Sequence, residues 1–299
     1  MLAHKLAAWF DKKNKTMESN IIIREIKPEE IYKLEDMLYE TIYQPDENNL
    51  IPREVLQIPE VNAYIKNFGK QKDDYCLVAD AAGEIIGAVW VRILSHPVKG
   101  YGYIDEETPE FAISLFKAYR NQGLGTRLMN AMILYLQEKG YRQTSLNVKK
   151  ENYAVKLYLK VGFEIISEDE EDYLMLLDLR KSIALRFNDC INKADLQGLS
   201  VLMTDNHTFI DMAKNRTEGK INNINKTWKP FFDLFPVYRN IFQKIITRGS
   251  TVIMQGYSVC SDECLNNVCA IWVAEVIKGK VSLWHIYSDN EENRKILGI

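Results

Sequence analysis

The stretch Arg120-Asn121-Gln122-Gly123-Leu124-Gly125-Thr126 joins a strand-like run, Phe111-Ala112-Ile113-Ser114-Leu115, to a long helical run that carries Leu128, Met132 and Leu136 on one face. Two glycines one residue apart let a backbone pass close to a bound anion, and the free amides of a first helical turn favour negative charge. A pyrophosphate suits such a turn. A dinucleotide-binding fingerprint needs a third glycine where Leu128 stands, and a P-loop needs Gly-Lys-Ser or Gly-Lys-Thr where the chain has Gly125-Thr126-Arg127, so neither applies.

Strand-like and helix-like segments alternate on both sides of this turn. Upstream, Ile21 to Ile26 reads as a strand and a helix follows Pro28, with Ile31, Leu34, Met37 and Leu38 on one face. A short helix is expected around Val55 to Phe68. Tyr75 to Ala79 and Ile85 to Ile93 are strands flanking a turn at Asp80-Ala81-Ala82-Gly83-Glu84, and Ser95 to Pro109 is irregular. Downstream, Gly140 ends the long helix, Ser145 to Val148 is a strand and Asn152 to Lys160 a helix. Phe163 to Ile166 and Tyr173 to Leu177 close the series around an acidic hairpin tip, Glu168 to Asp172.

Arg120-x-x-Gly123-x-Gly125 resembles the acyl-CoA pyrophosphate loop of the GNAT family of N-acetyltransferases. Asn152-Tyr153-Ala154-Val155-Lys156-Leu157-Tyr158-Leu159-Lys160-Val161-Gly162-Phe163 is similar to that family's second signature. The resemblance covers about Ile21 to Leu179 and implies an α/β domain over 21–180, a mixed sheet flanked by helices. It implies that the backbone of Asn121, Gln122, Gly123, Leu124, Gly125 and Thr126, with Arg120 beside it, holds the pyrophosphate of acetyl-CoA, the co-substrate. It further implies that Ile113, Ser114 and Leu115, splayed from the strand near Val148, pair with the pantetheine arm, with Asn152 close by. Tyr158 matches the tyrosine that protonates the leaving thiolate in many relatives; the other reading is a core tyrosine. Glu110 matches a glutamate that deprotonates the amine through water, or is a carboxylate at a strand start that only binds substrate or solvent. Neither a metal nor a nucleophilic side chain is required. The acceptor is expected at the first helices and the Ser95 to Pro109 loop, where Glu40, Tyr43, Glu47, Asp105, Glu106 and Glu107 suggest an acidic rim for a cationic amine.

Near Arg180 the pattern changes to helices followed by long strands, the signature of an α+β domain over 181–299. A strand is expected at His207 to Asp211 and a helix over Ile221 to Leu234, followed by strands at Tyr238 to Thr247, Thr251 to Val259, Val268 to Val276 and Val281 to Tyr287. Asn192-Lys193-Ala194-Asp195-Leu196, Met203 to Asp211 and Gly279 to Asp289 resemble the nuclear-transport-factor-2-like (SnoaL-like) superfamily. That resemblance implies a cone-shaped α+β barrel with a curved antiparallel sheet, often paired into dimers. Asp211, Trp228, Tyr257, Trp272 and His285 are its candidate pocket residues; the other reading makes the tryptophans core.

Composition narrows the rest. With 46% hydrophobic and 26% charged residues the chain is an ordinary folded protein, and its 299 residues have room for two domains. A formal charge of -3 argues against coating nucleic acid or an anionic membrane, and five irregularly spaced cysteines suit free thiols in a cytoplasm. Cys260-x-x-x-Cys264 with Cys269 lacks zinc spacing, and His4, His96, His207 and His285 lack ligand spacing. Lys149-Lys150 either meets CoA phosphates or is a solvated pair. Residues 1–20 are expected to be a leader, with Leu6 to Phe10 ahead of Lys12, Lys13 and Lys15; a frayed extension, a start at Met17 and a surface anchor are the alternatives.

Overall fold

Between Ala81 and Glu84 the chain reverses through two residues of positive φ, Ala82 at 54° and Gly83 at 95°, the geometry that matches the twist of flanking strands. The hairpin made there, β2 (Tyr75–Ala81) with β3 (Glu84–Arg92), is the centre from which the first sheet grows. All of β3 beyond Glu84 is buried, which is why Ile, Val, Ala and Trp run on without alternation. β1 (Ile21–Glu25) pairs antiparallel with β2, and β4 (Glu110–Leu115) antiparallel with β3. The full order is β1-β2-β3-β4-β5-β7-β6, with β5 (Gln143–Lys149), β6 (Glu164–Glu168) and β7 (Asp172–Asp178).

The computed structural model describes residues 21–46, 48–95 and 97–299, so the expected leader, Glu47, His4 and His96 lie outside the described residues. The chain divides into two units, one running to Tyr135 and again over Gln143–Leu177, the other made of Leu136–Arg142 and Asp178–Ile299. In the first, α1 (Leu34–Thr41) buries Leu34, Met37 and Leu38 against Val78, Ala88 and Trp90. The helix expected around Val55 to Phe68 is broken into a 3-10 turn (Arg53–Gln57) and a single turn α2 (Pro59–Asn62), because Pro59 cannot continue the turn before it. β4 and β5 are parallel, and the crossover between them is α3 (Leu124–Lys139). α4 (Ala154–Val161) ends at Gly162 with φ 105°.

In the second unit, α5 (Leu179–Asn192) and α6 (Leu196–Leu202) are capped by Asp178 and Asp195. Next come β8 (Met203–Ile210), β9 (Arg216–Glu218), α7 (Lys220–Asn222), a π-helical turn (Asn223–Trp228) and α8 (Lys229–Leu234). Pro230 has no N–H to bond back into the preceding turn, and the register widens just ahead of it. β10 (Arg239–Arg248), β11 (Thr251–Val259), β12 (Cys269–Ile277) and β13 (Lys280–Ser288) form an antiparallel meander. The order β10-β11-β12-β13-β8-β9 leaves the sheet open, with β10 and β9 as edges, and β13 runs parallel to β8, so the sheet is not wholly antiparallel. Phe187, Trp228, Trp272 and Trp284 form its core. The last helix, α9 (Glu291–Leu297), is unanticipated, although Asn290 caps it, Glu291 and Glu292 follow, and Gly298 stops it. Leu297 and Ile299 pack on Ile253, Ile271 and Val273.

Candidate active site

β4 and β5 share one bridge, Glu110 with Ser145, and then part. The Pro109 carbonyl accepts from Ser145 N–H (3.2 Å), and the two-residue period of a strand aims the main-chain groups of Ile113 and Leu115 at the same side. Among the described residues that edge faces no strand, because β5 has diverged. Ser114 faces the other way: its hydroxyl donates to the Met37 carbonyl (2.7 Å) and ties β4 to α1.

Where β4 ends, the turn begins. Asn121 and Gly123 take left-handed conformations, φ 62° and 77°, which curl the backbone into a concave row of amides. Leu124 is buried and anchors the row, while Asn121, Gln122 and Gly123 are exposed. The N–H groups from Asn121 to Thr126 have no acceptor among the described residues; the bonds nearby run from Arg120 N–H to Lys117 O and from Arg127 N–H to Gly123 O. A β-carbon on Gly125 would lie 3.3 Å from Leu157 Cδ2 and 3.6 Å from Leu115 Cδ1, so this turn, the open end of β4 and α4 meet at one point. The Arg120 side chain, partly exposed beside the turn, makes two contacts with the protein. Its Nε donates to the Leu115 carbonyl (2.8 Å) and a terminal nitrogen bonds Glu40 (2.7 Å).

Glu110 is 2% exposed. One carboxylate oxygen, Oε2, accepts from the Tyr64 hydroxyl (2.6 Å) and from Gly102 N–H (2.8 Å), whereas Oε1 has no hydrogen-bond partner among the described residues. Burial pushes this carboxyl up to about 7, with the Tyr64 and backbone donors pulling partly back. A carboxylate balanced near neutral pH suits a general base. Tyr158 is buried against Phe163, which packs edge-on against Phe111 of β4. Burial holds its phenol above the ordinary value, so at neutral pH it is protonated and able to donate. Asn152 uses its Oδ1 to accept from Ala154 N–H (2.9 Å), starting α4. Lys149 pairs with Glu171 and Asp172, and Lys150 with Glu168, which ties both to the β6–β7 hairpin.

Two residues of the expected acidic rim have partners within the protein. Glu40 is neutralised by Arg120, and Asp105 is spent on a local turn, accepting from Glu107 N–H and the Thr108 hydroxyl. Three further residues shape the site without any local sequence signal: Tyr64, and the buried pair Arg92–Asp74.

The second unit's candidate pocket separates into two faces. Met254 pairs with Trp272 and Ala274 with Trp284, all turned into the core with Trp228. Strand alternation therefore turns Tyr257 and His285 to the opposite face, where His285 stacks on Tyr287 at 3.8 Å. Asp211 closes the β8–β9 turn, accepting from Asn215 N–H (2.9 Å) and its side-chain amide (2.8 Å). The histidine that does enter the core is His207, fully buried, with its Nδ1–H donating to the Val281 carbonyl (2.8 Å). Its Nε2 has no partner among the described residues, and burial lowers its pKa to about 4. Cys260, Cys264 and Cys269 are free thiols, and among the described residues no group of three or more His, Cys, Asp or Glu side chains is arranged to hold a metal.

Residues 31–163 match the family described as Acetyltransferase (GNAT) family. The first part of the chain is thus a GNAT acetyltransferase domain. Among solved structures, the chain is similar to the PaiA N-acetyltransferase of Thermoplasma acidophilum in complex with coenzyme A, at 20% identity over 53% of this chain and 98% of that one, TM-score 0.38. It is similar also to a GNAT-family acetyltransferase of Streptococcus pneumoniae, at 25% identity over 52% and 97%, TM-score 0.38. A third likeness is to an NTF2-like protein of Cytophaga hutchinsonii, at 17% identity over 40% and 95%, TM-score 0.31. No curated protein matches the sequence. Among the described residues no helix is long and apolar enough to cross a membrane.

Proposed function

We propose that the first unit transfers the acetyl group of acetyl-CoA directly to an amine. The observation that carries this is the row of unpartnered amides from Asn121 to Thr126, set at the start of α3 beside the open edge of β4. Such a row suits a diphosphate, and the main-chain groups of Ile113 with the Leu115 N–H suit an amide-bearing arm laid along the strand, the Leu115 carbonyl being held by Arg120. An amine of pKa about 10.4 is protonated in all but roughly one molecule in 10³ at neutral pH, so it must lose a proton before it attacks. Glu110 takes that proton, through a water, on a carboxylate that titrates near 7. The nitrogen then bonds to the carbonyl carbon, the carbon–sulfur bond breaks, Tyr158 gives the thiolate its proton, and the second proton that the nitrogen still carries is released as the amide forms, which restores the Tyr158 phenol by way of solvent. No catalytic step is assigned to the second unit, because the acid–base pair that would perform one does not converge: Asp211 lies in a turn and His285 on the sheet face opposite the core. Its aromatic interior suits an accessory or pairing domain.

Gly123→Glu tests the loop. A β-carbon there meets nothing within 4 Å, so the cost to folding is confined to a non-glycine residue at φ 77°, on the order of 1–2 kcal/mol. The added carboxylate stands where the diphosphate would lie. Acetyl-CoA binding by calorimetry is expected to vanish in a folded protein; undiminished binding rejects the assignment.

A further inference from the structure

Tyr64 lies 46 residues before Glu110 in the chain, yet its hydroxyl donates to Glu110 Oε2 at 2.6 Å. The same phenol oxygen accepts from Tyr101 N–H (3.0 Å), and Gly102 N–H donates to the same Oε2 (2.8 Å). Oε2 is therefore held twice, and Oε1 is left as the unpartnered oxygen of this carboxylate. We propose that Tyr64 is a positioning residue for proton transfer to Glu110, fixing Oε1 as the atom that receives the proton. This inference rests on the acetyltransfer reading above.

The surroundings are built to hold Tyr64 in place. Arg92, 1% exposed, grips the Asp74 carboxylate twice, Nε to Oδ1 at 3.0 Å and a terminal nitrogen to Oδ2 at 3.1 Å. Its remaining terminal nitrogen donates to the carbonyls of Ala63 (2.6 Å) and Lys66 (3.0 Å), which bracket Tyr64. On the other side, Ser145 Oγ donates to the Gly102 carbonyl (2.6 Å) and holds the loop against the carboxylate. Glycine is required in that loop: a β-carbon at residue 100 would fall 2.3 Å from Oε1 and 2.4 Å from Oε2.

The groups facing Glu110 are consequently the Tyr64 phenol from the α2 side, the Gly100 to Gly102 backbone, Ser145 of β5, and Arg92 of β3, whose charge is committed to Asp74. Tyr64 is half-buried, and desolvation together with the adjacent carboxylate holds its phenol well above the ordinary value, so it remains a donor throughout the working range. A donor to an ionised carboxylate favours the ionised form, and loss of that donor raises the carboxyl pKa.

Tyr64→Phe keeps the ring and removes only the donor. In the full chain, a carbon-13 NMR titration of the Glu110 carboxyl is expected to move its midpoint upward. The acid limb of kcat/KM for a transferable amine should move by the same amount, with acetyl-CoA affinity unchanged. Activity at pH 7 then falls up to about tenfold for each pH unit of that movement and recovers on raising the pH. Replacing Tyr64 by 3-fluorotyrosine, a more acidic phenol of nearly the same size, should move the midpoint down, which covers the case of a Phe variant that does not fold. A midpoint unmoved by either change overturns the proposal. If both move it as expected while the native protein transfers acetyl to no amine, the proton-placing role of Tyr64 falls with the acetyltransfer reading, and only the coupling of the two side chains stands.

Discussion

Glu110 in the first unit and His207 in the second are both closed off from solvent, and burial drives each toward its neutral form, the carboxyl up to about 7 and the imidazole down to about 4. Their surroundings give this common perturbation different meanings. Glu110 stands where β4 and β5 part, beside an unpaired strand edge, and is covered by a glycine-bearing loop. His207 is enclosed: its ring lies 5.5 Å from Phe187, itself 4.9 Å from Trp284 and 6.4 Å from Trp228, and its carbonyl accepts from Asn223. Burial makes a group neutral; a strand edge left open beside it makes the group usable. A perturbed pKa by itself does not distinguish a working residue from a core residue.

The largest effect that tests this contrast is at Glu110. Glu110→Gln keeps an acceptor for Tyr64 and Gly102 and removes the base, so kcat/KM for a transferable amine should fall about 10²–10⁴-fold with acetyl-CoA affinity retained. The same variant should be the more stable protein at high pH. A carboxyl whose folded pKa is about 7 contributes stability that is present below its unfolded pKa, near 4.3, and is lost as the pH rises through 7. The glutamine variant escapes that loss, on the order of 3 kcal/mol at pH 8. Urea unfolding of both proteins at pH 8 measures it. Unchanged turnover would place Glu110 with His207 as a residue of the fold alone.

The parts of this contrast that sequence discloses are the local ones. Gly123, Gly125 and the run from Asn152 to Phe163 lie close together in the chain, and their spacing alone suggests a turn with free amides followed by a helix ending at glycine. The Ala82-Gly83 reversal is equally local. Tyr64 is different, because its role depends on an oxygen 46 residues away and on the Arg92–Asp74 pair, and none of these has a neighbour in sequence that marks it. Arg120 is legible beside the glycines, but the bonds its side chain makes to the Leu115 carbonyl and to Glu40 are not, because Glu40 lies 80 residues away. In the second unit the two faces of the sheet are legible in sequence. Trp284 and His285 are adjacent in one strand, so they cannot both face the core, and the tryptophan has more apolar surface to bury. Strand β9 is three residues long and the parallel pairing of β13 with β8 joins distant segments, so neither leaves a periodicity to read.

Acid should separate the two units. A depressed imidazole contributes stability that is present above its unfolded pKa of about 6.5 and is lost as the pH falls through its folded value, about 4. Between those limits the His207 region should lose on the order of 3 kcal/mol, while Glu110, binding its proton, offsets a comparable amount in the first unit. Tryptophan emission follows this well, because three of the five tryptophans, Trp228, Trp272 and Trp284, lie in the second unit. Urea midpoints read by emission should decline from pH 7 to pH 4, and His207→Gln should flatten that decline. A decline that persists in the glutamine variant would assign it to other groups.

The smallest effect concerns what the second unit's interior is for. Trp272 is 1% exposed, and its indole N–H has no partner among the described residues. Trp272→Phe gives up part of a ring's packing against Phe242, 5.3 Å away, and also removes a buried donor whose unpaired burial costs about 1–3 kcal/mol. The two terms oppose each other, so the change in unfolding free energy should stay within about 1 kcal/mol. That near-neutrality is the mark of a sealed aromatic core. A loss of 3 kcal/mol or more would mean that the indole N–H is bonded in the native protein, and the second unit's interior would then have to be counted, like the edge of β4, as a place where something binds.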